Sequence, residues 1–298
     1  MGADVIANLY GGLGNQLFQF AAALHARRAI GGSTYDLVLQ EGHPGRREIG
    51  DFVAVRTRRP TRLDRARWVE FAQDGSPMNI IFRRTARLHE SRTRRLLVRQ
   101  ASPFEPAPTL PPGARVKLEG FFQNPDWYGD TWREVAQLLL DAVPPGFTQL
   151  RAQRRCAVHV RRRDYVTVGW DMGPDYYRAS MAALGIHDCD VVVVSDEPSF
   201  VPWFAAALRS LGCTTVAPEP LTGDPIVDDF WNAAAAGRLV AANSTFSWWA
   251  GAVATALDPL TPIAYPTPWI VNRWSCRPLP DLALSGWMPF PSGLPEFG

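Results

Sequence analysis

Residues 5–29 read VIANLYGGLGNQLFQFAAALHARRA, and this stretch decides the fold of the first half of the chain. Val5–Leu9 has the length and apolar composition of a buried strand, and Gly11–Gly14 is typical of a tight loop. From Asn15 to Ala29 the apolar side chains recur at helical spacing. A strand, a glycine loop and a helix in this order predict one unit of a parallel sheet covered by helices.

The rest of the chain continues this alternation after a break at Val143–Gly146, which reads VPPG. We therefore predict an N-terminal domain over residues 1–145 and a C-terminal domain over residues 146–298. The predicted strands are Val116–Phe122, Cys156–Val160, Val191–Val194, Thr214–Ala217 and Leu239–Ala242, and the predicted helices are Trp127–Leu140, Asp175–Leu184, Pro198–Leu211, Asp228–Ala236 and Phe246–Ala256. Strands that alternate with helices imply an α/β fold, here two Rossmann-like domains whose parallel sheets face a central cleft.

Composition excludes several classes of protein. The formal charge of +2 over 298 residues lacks the single-sign excess that is expected of a nucleic-acid-binding protein. The four cysteines lie far apart without a CxxC pair, so the sequence predicts neither a zinc site nor a dense disulfide framework. Residues 1–20 lack the features of a signal peptide, and no apolar run is long enough to span a membrane. We expect a cytoplasmic protein.

Three segments follow predicted strands, where open parallel sheets bind ligands. The first is Gly11–Gln16, GGLGNQ, whose glycines allow backbone to approach a ligand while the helix offers N–H groups to an anion. It matches neither GxGxxG nor a P-loop, and a tight turn between strand and helix is the alternative interpretation.

The second segment is His159–Asp164, HVRRRD, directly after a buried strand. Arginine forks can bind a diphosphate and oppose the charge that develops on a departing nucleotide. The alternative is a solvated basic turn in which Asp164 is an ion-pair partner. His159 by itself is also compatible with a hydrogen-bonded histidine of the core.

The third segment is Asn243–Trp249, NSTFSWW, which follows a strand and opens a helix. Asn, Ser and Thr are good N-caps, so a structural cap is one interpretation. A cap that faces a cleft is also a phosphate site, because backbone donors and hydroxyls converge on an anion at the positive end of the helix. The sequence leaves both open.

Together, the three segments resemble the α-1,2-fucosyltransferases, family 11 of the glycosyltransferases, whose hallmarks are a GGLGNQLFQ start, an HxRRxD motif and an NS(S/T)FSWW motif. All three occur here in that order, and the resemblance covers residues 8–29 and about 116–270. The chain departs from the family at Arg163, where glycine is usual, and at Val194–Glu197, where FSDD is common. Weaker matches are Leu118–Gln123, Asp175–Tyr177, Ser195–Glu197, Asp229 and Pro266–Trp269.

The resemblance implies a GT-B fold, a GDP-fucose donor, a galactoside acceptor fucosylated in α-1,2 linkage, inversion at the anomeric carbon, and no metal or other cofactor. It implies that Arg161 grips the β-phosphate, that Arg162 helps it or braces the loop, and that Asn15 closes the donor pocket from the other domain. The implied catalytic residues are Arg161, Arg162, Asp164 and Asn15; the donor-binding residues are Gly12, Gly14, Gln16, His159, Asp196, Asp229, Asn243, Ser244, Thr245, Phe246 and Ser247; and the acceptor-binding residues are Glu119, Gln123 and Trp249. The general base stays open between Asp164 and Glu119.

Two other hypotheses remain. The chain could be a GT-B transferase that uses another GDP-sugar or forms another fucosyl linkage. It could also be a non-catalytic carbohydrate-binding protein, because sugar faces stack on aromatic rings such as those of Trp127, Trp170, Trp248, Trp249 and Trp269. Asp188–Asp190 spells the DxD of metal-dependent glycosyltransferases, but it precedes a predicted strand rather than following one, so we interpret it as a loop.

Arg83–Arg99 carries seven arginines opposed only by Glu90. Such a stretch could touch an anionic membrane that carries a lipid-linked acceptor, at most peripherally and on the inner face. The alternative is a solvated helix face.

Overall fold

The computed structural model describes residues 5–31, 37–41, 49–52, 95–100, 104–272, 277–278 and 281–293. The chain forms two compact units, the first of residues 1–50 and 54–132, the second of residues 51–53 and 133–298. Most of the basic stretch Arg83–Arg99, with Arg92 and Arg94, lies outside the described residues, so membrane contact there stays a prediction. Within the described ranges, no helix is both long and apolar enough to cross a bilayer.

The first unit contains a four-stranded parallel sheet in the order β2-β1-β4-β3. Val5, Ile6 and Ala7 of the central strand are all buried, which explains the continuous apolar run in the sequence. The strands are β1 (Val5–Leu9), β2 (Leu37–Glu41), β3 (Arg95–Arg99) and β4 (Arg115–Glu119), and a short 3₁₀ turn covers Ile49–Asp51.

In the part of the first unit that the structure describes, the helices are α1 (Leu13–Ala29) and α2 (Pro125–Tyr128). A further helix, α3 (Thr131–Leu140), begins in the first unit and lies mostly in the second. Helix α1 buries Leu17 and Phe18 completely. The single helix predicted over Trp127–Leu140 is two helices, because Gly129 adopts a φ of 47° and ends α2.

The second unit contains a six-stranded parallel sheet in the order β12-β9-β8-β5-β6-β7. Its strands are β5 (Cys156–Val160), β6 (Asp190–Ser195), β7 (Thr214–Val216), β8 (Arg238–Val240), β9 (Ile263–Thr267) and β12 (Met288–Pro291), while β10 (Val271–Asn272) and β11 (Arg277–Pro278) form a separate antiparallel pair. Its helices are α4 (Phe147–Ala152), α5 (Arg163–Val168), α6 (Pro174–Ala183), α7 (Val201–Arg209), α8 (Pro225–Ala234) and α9 (Thr245–Leu257), with a 3₁₀ turn at Pro198–Phe200.

The order of these strands places a topological switch between β5 and β8. From β5 the chain runs outward through β6 and β7, then crosses to the other side of β5 and continues through β8 and β9. Ligands of open α/β sheets bind beyond the carboxyl ends of the strands at such a switch. The loops that leave β5 and β8 carry the second and third sequence segments.

The predicted α/β fold with two parallel sheets is confirmed. Helix α5 was not predicted from the sequence, since Arg163–Val168 is short and exposes most of its side chains. At the opposite, amino edge of the second sheet, three cysteines that are distant in sequence precede or open adjacent strands, and the Sγ atoms of Cys156 and Cys189 lie 3.6 Å apart.

Candidate functional site

Arg161 is the first residue after β5, and its guanidinium is fixed by two carboxylates. Nη1 lies 3.1 Å from Oδ2 of Asp196, and Nη2 donates to Oδ1 of Asp164 at 2.5 Å. The guanidinium carbon also lies 5.0 Å from the centroid of the Tyr165 ring. Asp196 is largely buried whereas Asp164 is exposed, so an incoming anion can replace Asp164 without disturbing the inner ion pair.

Arg162 points into a different set of contacts. Its Nε donates to Glu197 at 2.9 Å, and its guanidinium lies over the Phe200 ring at 4.1 Å. Its backbone N–H donates to Oδ1 of Asp196 at 2.8 Å. These contacts brace the loop, which is one of the two roles implied for Arg162. Arg163 is exposed at the start of α5.

The third segment forms the N-terminus of α9, as its capping residues predict. The Ser244 side chain accepts a hydrogen bond from the backbone N–H of Phe246 at 3.3 Å. Ser247 is completely buried, and its hydroxyl lies within hydrogen-bond distance of the Ala242 and Ser244 carbonyls. Ser244 therefore acts as a structural N-cap of α9. The positive end of this 13-residue helix lies at the same edge of the sheet as Arg161.

Helix α5 and the turn after it join the two segments. The Tyr165 hydroxyl donates to the Asn243 carbonyl at 3.2 Å, and the Asn243 side-chain amide donates to the Trp170 carbonyl at 2.8 Å. The Tyr165 and Trp170 rings meet edge to face at 5.7 Å. Burial raises the pKa of Tyr165 to about 12, so the phenol stays a hydrogen-bond donor. This bridge was not predicted from the sequence. The sequence features that could have indicated it are Tyr165 and Trp170 on either side of Gly169, which ends α5 with a φ of 71°.

Among the buried polar atoms that have no hydrogen-bond partner within the described part of the chain, Nδ1 of His159, Oδ1 of Asn243 and Nε of Arg161 lie at this edge. The His159 ring lies 5.3 Å from the Phe246 ring, so it sits against the start of α9. Burial and the charge of Arg161 lower the pKa of His159 to about 3, which keeps the ring neutral. Buried polar groups are normally paired, so these atoms have hydrogen-bonding capacity that a water molecule or a ligand can fill.

Two adjacent aspartates on α8 have different roles. Asp228 is buried and accepts hydrogen bonds from the backbone N–H groups of Thr222 and Gly223, which fixes the loop before the helix. Asp229 is partly buried, and burial together with the charge of Asp228 raises its pKa to about 6. Phe230 packs edge to face on Phe246 at 5.7 Å, which connects α8 to the start of α9.

The first segment, in the first unit, begins α1. Gly11 has a φ of 79°, and a Cβ there would come within 2.6 Å of the Asn15 side chain, so glycine is required for the turn. Gly12 is the exposed N-cap of α1, and Gly14 is buried in its first turn. The loop predicted over Gly11–Gly14 is thus shorter than expected, since the helix begins at Leu13.

The side chains that follow these glycines are held locally. Gln16 donates to the Gly11 carbonyl at 2.8 Å and accepts from the backbone N–H of Ile49 at 3.1 Å, so its amide ties the turn to the neighbouring segment. Asn15 accepts from the Gln123 amide at 2.9 Å. The donor-binding role of Gln16 and the catalytic role of Asn15 stay predictions.

Glu119, at the end of β4, lies between two cations. Its carboxylate accepts from Arg99 at 2.7 Å and lies 3.3 Å from Nζ of the buried Lys117. Burial raises the pKa of Glu119, but the hydrogen bonds and charges of these cations outweigh it and hold the pKa below its ordinary value. A carboxylate of this kind is a weak general base.

Most of the tryptophans that were candidates for stacking on a sugar in a carbohydrate-binding protein are core residues. Trp127, Trp248, Trp249 and Trp269 are all buried, and the Trp248 indole donates to the Leu282 carbonyl at 2.7 Å. Trp249 has no exposed surface, which gives no support to the acceptor-binding role predicted for it.

The DxD sequence lies at the edge of the sheet opposite to Arg161. Asp190 opens β6 and Asp188 precedes it with a φ of 48°, whereas Asp196 follows the same strand. In the ranges that the structure describes, no three His, Cys, Asp or Glu side chains are grouped so that they could hold a metal ion.

Comparison with known proteins identifies the architecture. No family model matches the chain, and no curated protein matches it significantly. Among solved structures, a variant of Arabidopsis thaliana FUT1 in complex with GDP matches with a TM-score of 0.50 and 10% identity, covering 84% of this chain and 68% of that one. POFUT1 in complex with GDP matches with a TM-score of 0.47 and 13% identity, covering 85% and 94%, and the fucosyltransferase NodZ from Bradyrhizobium with 0.44 and 13%, covering 84% and 93%.

The chain has a GT-B type fold. This confirms the fold class predicted from the sequence. At these identities the similarity concerns the fold, and the chemistry must be argued from the site itself. Within the second unit of this GT-B chain, Arg161, His159 and the N-terminus of α9 lie at the switch between β5 and β8, where ligands of such sheets bind.

Proposed function

We propose that the protein transfers L-fucose from GDP-fucose to a sugar hydroxyl. The observation that carries this proposal is the constellation at the switch of the second sheet. A fixed arginine, the positive end of a long helix and two buried polar atoms in need of partners converge there. A nucleoside diphosphate offers the matching groups, since its phosphates are anionic and its base and ribose carry hydrogen-bond donors and acceptors.

The finer proposal follows the resemblance of the motifs. The acceptor is a galactoside whose 2-hydroxyl is fucosylated, so that the product linkage is α-1,2. The acceptor oxygen attacks C1 of fucose, the bond from C1 to the β-phosphate oxygen breaks, GDP leaves with the electron pair, and the hydroxyl proton passes to a base. The single displacement inverts the anomeric carbon.

Arg161 is the principal residue of this reaction. Its fork is held by Asp196, so the donors are oriented before the diphosphate binds, and the exposed Asp164 is the group that a phosphate displaces. The charge on the β-phosphate grows as the bond to fucose breaks, and pre-oriented donors stabilise that charge without reorganisation. Arg162, held by Glu197 and Phe200, acts by keeping the loop in place.

The remaining donor contacts are proposed from position. The neutral His159 and the Asn243 side chain each offer a polar atom to the nucleotide. Asp229 is partly ionised near pH 6 and can accept from guanine N–H groups. Positive charge for the leaving group comes from Arg161 and the helix, so we propose that no metal ion is required. Glu119 is a poor candidate for the base because its carboxylate is paired with Arg99 and Lys117.

The test is binding and donor hydrolysis with a panel of nucleotide sugars. Calorimetric titration should show binding of GDP and GDP-fucose and much weaker binding of UDP. Hydrolysis in the absence of acceptor should be fastest for GDP-fucose. Faster turnover of GDP-mannose would mean that the protein is a glycosyltransferase with a donor other than GDP-fucose. No binding of GDP at all would favour a carbohydrate-binding protein. Transfer to lactose, followed by product NMR, identifies the linkage.

A further inference from the structure

Two aromatic rings meet at the carboxyl edge of the first unit's sheet. Tyr10 follows β1 and Phe121 follows β4, and these strands are parallel neighbours. The ring centroids lie 4.9 Å apart at an interplanar angle of 66°. Phe121 is 45% exposed although it is a large apolar residue. We call these two rings the aromatic pair.

The backbone turns Phe121 outward at the expense of an unfavourable conformation. Phe122 has a φ of 55°, which bulky residues rarely adopt. Its side chain is fully buried and packs on Trp127 at 4.9 Å, and its N–H donates to the Gln100 side chain at 2.7 Å. Consecutive phenylalanines therefore point in opposite directions, one into the core and one to the surface. An outlier of this kind, held by its surroundings, is typical of functional sites.

Polar groups border the aromatic pair. The Glu119 carboxylate, two residues before Phe121, is close enough to help raise the pKa of Tyr10, although burial contributes more. The phenol thus keeps its proton and remains a donor. The Asn15 and Gln123 side chains, joined at 2.9 Å, follow the same two strands. An apolar ring surface beside amide and carboxylate groups matches a pyranose, whose C–H face stacks on aromatics while its hydroxyls need hydrogen bonds.

We propose that the aromatic pair is the surface on which a pyranose ring of the acceptor stacks. This inference rests on the proposed function for its choice of acceptor. Phe121 supplies the stacking face, Tyr10 supports it from the side, and the amides of Asn15 and Gln123 bind hydroxyls of the same sugar. A galactoside suits this surface, because its axial 4-hydroxyl leaves an uninterrupted patch of C–H groups on the opposite face.

Kinetics on substituted enzymes tests the role of the ring. With lactose as acceptor, Phe121→Leu should raise the KM for lactose about 3- to 10-fold, as expected for loss of one aromatic contact, and leave the KM for GDP-fucose unchanged. Phe121→Tyr keeps the ring and should behave like the parent enzyme. Leu97→Ala is the matched control, since Leu97 lies in the same unit and is 40% exposed. An unchanged lactose KM in Phe121→Leu overturns the proposal.

Saturation-transfer NMR makes the test independent of turnover. The probes are lactose and the methyl β-glycosides of galactose, glucose and N-acetylglucosamine. Transfer to the ring protons of at least one pyranoside, lost in Phe121→Leu and kept in Leu97→Ala, supports the proposal. Equal transfer in Phe121→Leu, or none from the parent protein to any of the four sugars, overturns it. Failure to bind GDP would instead refute the proposed function and leave this result standing.

Discussion

The carboxylate of Asp196 lies 3.1 Å from the guanidinium of Arg161, across the ends of two adjacent strands. Val160 pairs with Ser195 in the register of β5 and β6. The residues that follow them, Arg161 and Asp196, are therefore neighbours because the two strands are paired. The same carboxylate accepts the backbone N–H of Arg162 at 2.8 Å. Asp196 thereby fixes both the loop and the direction of the fork that we propose for the β-phosphate.

Arg161 and Arg163 should respond very differently to truncation. Arg161→Ala removes an oriented donor from the departing diphosphate, which typically costs about 3 to 4 kcal/mol, or roughly 100- to 1000-fold in kcat. Arg163→Ala removes only an exposed charge and should change kcat less than about 3-fold. Arg161→Lys should restore little, because an ammonium does not reproduce a planar fork.

Steady-state kinetics with GDP-fucose, on variants whose circular dichroism matches the parent, measures this contrast. Raising the salt concentration is a further control, since a screened surface charge loses its effect and an oriented bond largely keeps it. Equal losses at the two positions would mean a generally basic turn, not a specific clamp.

Asp164 should compete with the diphosphate for Arg161. Its carboxylate accepts from Nη2 at 2.5 Å and is exposed, so Asp164→Asn weakens a contact that the ligand must break. We expect GDP to bind as tightly or up to several-fold more tightly in this variant, with kcat reduced less than about 10-fold. Calorimetry and single-turnover rates check both. A loss of more than 100-fold in the single-turnover rate, with GDP binding intact, would instead identify Asp164 as the general base.

Chelation should leave transfer intact. In the mechanism that we propose, the positive charge that opposes the leaving group comes from Arg161 and the N-terminus of α9. The DxD residues Asp188 and Asp190 lie at the amino end of β6, away from this edge. Initial rates with and without EDTA measure the effect, and the variant with Asn at both positions is the control. Abolished activity that Mn²⁺ restores would overturn the metal-free mechanism.

Ser244 and Ser247 separate capping from ligand binding. Ser244→Ala removes the N-cap of α9 and should lower the free energy of unfolding by about 1 kcal/mol. If the cap also faces the phosphate, the affinity for GDP falls as well. Ser247→Ala removes a fully buried hydroxyl that bonds within the protein, so it should lower stability with unchanged GDP affinity. Thermal unfolding and calorimetry on both variants decide whether Ser244 has the second role.

The parallel sheets could be predicted because the composition of their strands is recognisable in the sequence. Val191–Val194 is apolar throughout and Cys156–Val160 is apolar apart from His159, as expected of strands covered on both faces, and the glycine loop marks the start of α1. The strand order was not predictable, since an apolar run carries no information about its neighbours. The switch between β5 and β8, which locates the site, could only be read from the structure.

The sequence predicts which kinds of residue form the site, but it does not predict the contacts between them. Motif arginines predict anion binding, but nothing in HVRRRD tells which guanidinium contacts Glu197 and Phe200 and which contacts Asp164 and Asp196. Likewise the sequence predicts Trp249 as an acceptor contact and does not reveal that packing buries its side chain completely, so that role stays a prediction. The Tyr165 bridge depends on the short helix α5, whose length is set by tertiary contacts and not by periodicity.

Asp229 should make donor binding depend on pH. Its folded-state pKa is raised to about 6, mainly by burial, so the carboxylate is ionised at pH 7.5 and about one-tenth ionised at pH 5. If the ionised form accepts guanine N–H groups, the affinity for the donor should fall about tenfold between these values. GDP-fucose is the ligand to use, because the terminal phosphate of GDP itself titrates near pH 6. Asp229→Asn should flatten the profile.

Ionisation of Asp229 should lower the stability of the protein, whereas it should strengthen donor binding. A carboxyl whose pKa rises on folding binds its proton more tightly in the folded state, so its contribution is largest below about pH 4 and is lost as the pH rises through about 6. Asp229→Asn should therefore raise the free energy of unfolding at pH 7.5 by about 1 to 2 kcal/mol, allowing for partial solvent screening. Titrations and thermal scans at pH 5 and 7.5 give both quantities on one protein. If only the stability profile changes in the variant and GDP-fucose affinity is equally pH-dependent, Asp229 lies away from the guanine.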